Sequence, residues 1–420
     1  MKYYILLFII AVQFIACTQK FSTTEKLNHL ALSMEENLYD NVIPFWLNHS
    51  IDTVNGGFFG MVDAEGNGNT EAEKGLILNS RILWTFSSLY SKDGDERFLS
   101  VADRAFKYIE DYFIDREFGG GVYTVDNTGA WINETKSIYA NSFLIYGLSE
   151  YVLATGNQTA LDHAQNTFLK LEENAHDSLY GGYGEIYNRD WTPITDGTIN
   201  EIGDAAKTMN TSLHILESLA NLYRVWQSPI VKDRLQEMII VTLEKIINPE
   251  TNRQFYFFDR DWKSIADIKS YGHDIECSWL LLEAAEVLGN KELIERVEKA
   301  SIAMAESTLE ALNQDGSLIN ESVDGNNSKS LQWWVQAEAV VGFINAWQLT
   351  NDEVWIDRAL SAWEFTEDNF VDKEYGEWFW GFGDDGQLNK SAPKVSAWKC
   401  PYHNSRMSIE VLRRLSEHNH

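Results

Sequence analysis

Asn55-Gly56-Gly57-Phe58, Phe118-Gly119-Gly120-Gly121 and Tyr180-Gly181-Gly182-Tyr183 are three copies of one turn, and they decide the fold. Weaker copies stand at Arg253-Gln254-Phe255, Asp315-Gly316-Ser317 and Tyr375-Gly376-Glu377-Trp378, so the marker recurs at intervals of 60 to 73 residues. Most copies lead into a short aromatic stretch and a second polar turn, such as Val125-Asp126-Asn127 or Asp259-Arg260-Asp261. Such repetition points to stacked copies of one supersecondary unit. Six units of about sixty residues use nearly all of the 420 residues, which makes a single domain.

Between the turns, apolar residues recur at steps of three and four, as in Leu213, Leu216, Leu219, Ala220 and Tyr223, or Leu280, Leu281, Ala284, Ala285 and Leu288. Only 6 Pro occur in the chain, which suits helices. Each unit reads as helix, glycine turn with a short hairpin, then helix. The first helices are predicted over 26–47, 95–114, 158–174, 230–247, 291–312 and 352–370. The second are predicted over 75–90, 137–155, 207–226, 271–288, 332–349 and 402–417. Six consecutive helical hairpins close naturally into an all-α (α/α)6 barrel with short β-hairpin loops at one mouth. The second helices are the more apolar and form the inner ring. The first carry more Lys and Glu, as in Lys291 to Lys299, and form the outer ring.

The chain carries a net charge of −29. Nucleic-acid binding rests on Lys and Arg against phosphate, so that class is excluded. The 15 Trp, 18 Tyr and 21 Phe fill a wide core or line a pocket for flat ligands. At the start, Tyr3 to Ala16 is an apolar run too short for a membrane span and suited to a signal-peptide core. Phe14-Ile15-Ala16-Cys17 resembles a bacterial lipoprotein signal, with Phe where Leu is usual. The expected organisation is therefore signal peptide 1–16, acylated Cys17, polar linker 17–25 and catalytic domain 26–420. The protein is expected to be exported and lipid-anchored, in the periplasm or at the cell surface. Cys277 and Cys400 are expected as free thiols, and no Cys/His spacing suggests a zinc site.

Polar and aromatic residues gather at the starts of the second helices. Arg81, Tyr139 with Asn141, Asn210 with His214, His273 with Glu276, Trp334 with Glu338, and His403 with Arg406 each occupy that place in one unit. In a closed ring they converge on the axis as a concave pocket. A lone His at a helix start is ordinarily structural. Two at matching repeat positions, each with a charged residue three places on, point to function. Glu276 is spaced to hold His273 in one tautomer. Trp334 and Trp398 are candidate sugar platforms. His29, His49, His163, His176, His418 and His420 fall on outer helices, loops or the tail and receive no role.

These segments resemble the N-acylglucosamine 2-epimerase superfamily, and within it the cellobiose 2-epimerase group, which includes mannobiose 2-epimerases. The resemblance runs from about Leu38 to Leu415. Its carriers are Ile43-Pro44-Phe45-Trp46, Asn55-Gly56-Gly57-Phe58, Ser80-Arg81-Ile82-Leu83-Trp84, Lys207-Thr208-Met209-Asn210, Ser270 to Glu276, Trp333 to Ala339 and Trp398 to Arg406. It is weakest over 192–206. The resemblance implies the six-hairpin barrel and an isomerase that inverts C2 of the reducing-end sugar of a β-1,4-linked disaccharide or oligosaccharide. It implies His273 and His403 as the acid/base pair. His214 joins them and Arg81 in the catalytic set, with Tyr139, Asn210, Glu276, Trp334, Glu338 and Trp398 around the sugar.

The chemistry fits these residue types. The proton beside an open-chain aldehyde is acidic enough for an imidazole, and a cation such as Arg81 would steady the enediolate. Inversion needs a second acid on the opposite face. No metal and no redox cofactor is required. The expected partner is the disaccharide or oligosaccharide substrate, the chain acting as a monomer with membrane contact only through its lipid anchor. Three other readings compete. An aldose–ketose isomerase would give a ketose. A glycoside hydrolase would need two carboxylates flanking the bond, such as Glu276 and Glu338. A surface glycan-binding lipoprotein would have no activity to lose.

Overall fold

A computed structural model describes residues 22–194 and 205–418. The leader 1–16, Cys17, His420 and most of the 192–206 insert lie outside the described residues. Six outer helices alternate with six inner ones. The outer set is α1 (Thr23–Glu36), which continues through a π-helical stretch Asn37–Val42 into α2 (Ile43–His49), then α4 (Glu96–Tyr108), α6 (Gln158–Asn174), α8 (Pro229–Val241), α10 (Lys291–Ser307) and α12 (Val354–Asn369). The inner set is α3 (Leu76–Asp93), α5 (Ile138–Thr155), α7 (Met209–Val225), α9 (Tyr271–Leu288), α11 (Trp333–Thr350) and α13 (Tyr402–His418). Each inner helix packs on the next, and α13 packs back on α3, so the ring is closed: an (α/α)6 barrel. α1 begins inside the stretch 17–25 that reads as linker, because Ser22 and Glu25 form a reciprocal capping box. Among the described residues no helix is long and apolar enough to cross a membrane.

Burial separates the two rings. α11 buries nearly its whole circumference, from Trp333 to Trp347, whereas α4 buries one stripe of Phe98, Val101, Ala102, Ala105 and Phe106. A one-sided stripe marks a helix facing solvent on its other side. The far ends of the inner helices turn sharply. Gly94, Gly156 and Gly289 cap α3, α5 and α9 at φ 68°, 70° and 74°, where a side chain would be strained. Asn351 takes that place after α11 at φ 56°. The next outer helix follows within a few residues, so the long connections all fall at the opposite mouth.

At that mouth the short strands do more than form hairpins within a unit. The strand entering each inner helix pairs with the following unit: Lys74 with Val125, Lys136 with Tyr187, Lys207 with Phe258, Lys269 with Ser322, and Leu331 with Phe382. A bridge between Val395 and Val62 joins the sixth unit to the first. The belt thus closes as the helices do.

Four units also share a buried ion pair under the glycine turn: Lys74–Asp52 at 2.8 Å, Lys136–Asp115 at 2.9 Å, Lys207–Asp177 at 3.2 Å and Lys394–Asp372 at 2.7 Å. Lys74 also donates to the Gly56 carbonyl, fixing the turn itself. Asp115 differs from Asp52 in having a second cation, Arg189. Breaking a buried pair strands a charge, at about 3–5 kcal/mol. Lys74→Met is therefore expected to lose about that much stability in urea unfolding at neutral pH. Lys136→Met should lose clearly less, because Arg189 remains on Asp115.

Candidate active site

The inner-helix starts converge as the repeat spacing requires. Arg81 from α3, Tyr139 from α5, Asn210 and His214 from α7, His273 and Glu276 from α9, Trp334 from α11 and His403 from α13 line one cavity of ≈ 190 Å³. Trp398 joins them from the segment before α13, as do Gln332, Trp333 and Trp380. Trp334 is the shared wall. Its ring lies 4.7 Å from the His273 ring and 5.6 Å from the His403 ring. It reaches that position because residue 272 is glycine: a Cβ there would meet the indole at 2.6 Å. On the other side, Tyr139 contacts the His214 ring at 5.1 Å and the Trp398 ring at 5.8 Å. Trp398 is 40% exposed and forms the rim.

Beneath the cavity sits Arg406, 1% exposed. It donates through Nη1 to Glu217 at 2.9 Å and through Nη2 to Glu338 at 2.6 Å and to Glu276. Its guanidinium also stacks on Tyr402 at 4.2 Å and Trp279 at 4.8 Å. One cation thus organises three buried carboxylates, two of which hold imidazoles. Glu338 accepts from His403 Nδ1 at 2.7 Å, and Glu217 from His214 Nδ1 at 2.7 Å. Tyr402 donates to Glu217, and Trp279 donates to Glu338 at 3.0 Å.

Three expectations change. Glu276 does not hold His273: it is bonded to Arg406, a full charge that outcompetes a neutral ring, and Ser270 Oγ takes His273 Nδ1 at 2.6 Å. The same i, i+3 spacing does form a pair on α7, His214 with Glu217. Glu338 does not line the cavity but stands behind His403. Asn141 also turns away, clamping the Gly121 backbone at 2.7 Å. Sequence reading missed Glu217 altogether, although its place three residues after His214 was available. It also missed Ser270, Gln332, Trp333 and Trp380. The last of these is delivered by strand pairing between Gln332 and Gly381, which no local pattern encodes. Cys277 and Cys400 are free and buried, as expected. Cys400 Sγ lies 3.8 Å from Arg81 Nη1, whose Nη2 donates to the Tyr139 hydroxyl at 2.9 Å.

The electrostatics favour neutral imidazoles. Burial pushes His273 down to about 4 and His214 to about 3, against the pull of Glu276 and with the help of Arg81. His403 is driven well below the ordinary value by burial, again against Glu276. Burial also raises Glu338 and Glu217, and Arg406 draws both back. Glu276, Glu338 and His403 bring ligand atoms within 4.8 Å of one another, a spacing a metal ion could use. Arg406 already donates to both carboxylates, so an ion would have to displace it.

Residues 57–405 match the sequence profile of the family described as N-acylglucosamine 2-epimerase (GlcNAc 2-epimerase). The chain is 42% identical over 386 residues to a cellobiose 2-epimerase of Bacteroides fragilis, spanning 91% of this chain and 98% of that protein. It is 39% identical over 382 residues to one of Dictyoglomus turgidum, spanning 90% and 97%. The solved structure of cellobiose 2-epimerase from Bacillus thermoamylovorans superposes with a TM-score of 0.88 at 35% identity, covering 92% of this chain and all of the other.

Proposed function

We infer the function from a premise that now stands: the chain belongs to the N-acylglucosamine 2-epimerase family. It is a disaccharide 2-epimerase, an isomerase that inverts C2 of the reducing-end sugar. The substrate class we propose is β-1,4-linked disaccharides and their longer homologues, cellobiose and mannobiose first.

One observation carries the mechanism: two imidazoles on different inner helices border the same indole, each with Nδ1 engaged by a fixed partner. A carboxylate can only accept, so His403 donates its Nδ1–H to Glu338 and keeps Nε2 as a lone-pair base. His273 is held by a hydroxyl, which both donates and accepts, so its Nε2 can serve with or without a proton. The sugar ring first opens to the aldehyde, and His214, fixed by Glu217, is the group we assign to that proton transfer. One of His273 and His403 then removes the C2 proton, and Arg81 stabilises the enediolate oxygen. The other imidazole, carrying a proton on Nε2 before this step, gives it to the opposite face, and exchange with solvent resets both rings for the next turnover. Trp334 and Trp398 stack on sugar faces, with Tyr139, Asn210 and Glu276 directing the hydroxyls.

Product NMR after turnover of a β-1,4 disaccharide panel in deuterated water tests this. The expected product is the 2-epimer with deuterium on C2. A ketose, free monosaccharides or an unlabelled epimer would each defeat the reading. The apolar run before Cys17 supports a further proposal, that the enzyme is exported and held to a bacterial membrane by that residue.

A further inference from the structure

Asp274 follows His273 on the first turn of α9, is fully buried and takes no part in the cavity. Its Oδ1 accepts the Gln254 N–H at 2.8 Å, while its Oδ2 is buried without a partner. The repeat shows what belongs there. In the second unit Asn141 accepts from the Gly121 N–H at 2.7 Å and donates to the Gly121 carbonyl at 3.2 Å. In the fifth, Gln336 accepts from the Leu318 N–H at 2.9 Å and donates to the Leu318 carbonyl at 2.9 Å. Gly121, Gln254 and Leu318 are equivalent, each bridged to the residue that leaves the preceding outer helix, Ile114, Ile247 or Leu312. Two units therefore clamp this strand with an amide that both donates and accepts. The fourth uses a carboxyl, which when ionised can only accept.

We propose that Asp274 is protonated in the working enzyme, donates its O–H to the Gln254 carbonyl, and by this clamp acts as a positioning residue for His273. The link is short. Gln254 Nε2 also donates to the His273 carbonyl at 2.9 Å, so one residue of the strand is stitched to both 273 and 274. The charged surroundings agree. Arg253 is the cation facing Asp274, but its Nη2 is engaged by the Ser307 carbonyl at 2.7 Å and by Glu310 at 2.9 Å. Glu310 from the end of the neighbouring outer helix repels an anion at Asp274, and Tyr271, Glu276 and Cys277 on α9 itself offer no positive charge. Burial raises Asp274 to about 7, with the Gln254 N–H, Arg253 and the Gln254 side-chain amide only partly opposing it.

The link to catalysis rests on His273 as an acid/base, so the test has two arms on the full-length enzyme. A carboxyl raised in the folded state stabilises below its unfolded value and loses that contribution as pH rises through the folded one. Asp274→Asn replaces the acid with the amide of the sister units and does not titrate. It is expected to melt with the wild type near about pH 4 and a few degrees above it near about pH 9. Its kcat–pH profile should extend further to the alkaline side. An infrared band of a protonated carboxyl, lost from the wild type over the same range, reports the proton even if the variant folds poorly. A melting gap that does not change with pH, together with no such band, overturns the protonation. An unmoved alkaline limb overturns the positioning role. Neither the melting arm nor the band needs turnover, so they decide on Asp274 even if His273 proves not to be catalytic.

Discussion

Alanine at His403 or at His273 lowers kcat by about 10²–10⁴-fold, the range for removing a positioned acid or base. The barrel should survive either change, since His403 sits at a cavity wall and its partner Glu338 keeps Arg406 and Trp279. The two losses are not additive, because each imidazole serves one face of one intermediate; the double variant falls little below the worse single. A sharper signature comes from isotope exchange. In each single variant the remaining imidazole still exchanges the proton on its own face, so one C2 configuration takes up solvent deuterium without inverting. Exchange of both configurations by one variant would show that a single group reaches both faces. The pH profile follows from burial. The base works neutral, and His273 is held at about 4, so the acid limb of kcat in the direction where His273 is the base should lie near that value. A half-loss near the ordinary imidazole value would mean that the ring is solvated.

The second large effect is on stability. Arg406→Met removes the cation that bridges Glu217, Glu276 and Glu338, all three buried. Stranding buried charge costs about 3–5 kcal/mol, a large share of the roughly 5–15 kcal/mol that holds a typical fold. Denaturant titration should show at least that loss at neutral pH. Glu217 and Glu338 are already raised by burial and sit above their unfolded values. Acidification towards the ordinary carboxylate range therefore protonates them in the folded state first and should narrow the gap between variant and wild type. Arg406→Lys should rescue little. A lysine is a single point charge and cannot span acceptors contributed by α7, α9 and α11. Equal stability of Arg406→Met and wild type at neutral pH would show that the carboxylates are solvated or protonated without it.

Much of this was legible in the sequence because the repeat amplifies weak signals. The limits of α6 and α9 agree with the periodic reading to the residue, since a cap closes each end: Asn157 begins α6 and Gly289 ends α9. The cavity wall was also readable, since equal repeat position implies equal placement in a closed ring. What lay beneath it was not. Spacing within one helix suggests partners three apart; His214 and Glu217 do pair that way, though that pair went unread, whereas the pair that was read, His273 with Glu276, does not form. The difference is Arg406, which arrives from α13, 130 residues away from Glu276. The Lys–Asp pairs escaped for a related reason. Their partners are common residue types 21 to 30 positions apart, and only the folded turn brings them together.

The bridge from Val395 to Val62 and the packing of α13 on α3 have a kinetic corollary. A chain delivered N-terminus first exposes the unsatisfied flank of its first unit until the last has arrived. Long-range closure of that kind is slow and leaves apolar surface open to aggregation meanwhile. The helix that seals the circle also delivers His403 and Arg406, so maturation and the onset of turnover coincide. A truncated chain lacking that last segment is expected to aggregate and show no turnover, rather than to act as a weak enzyme.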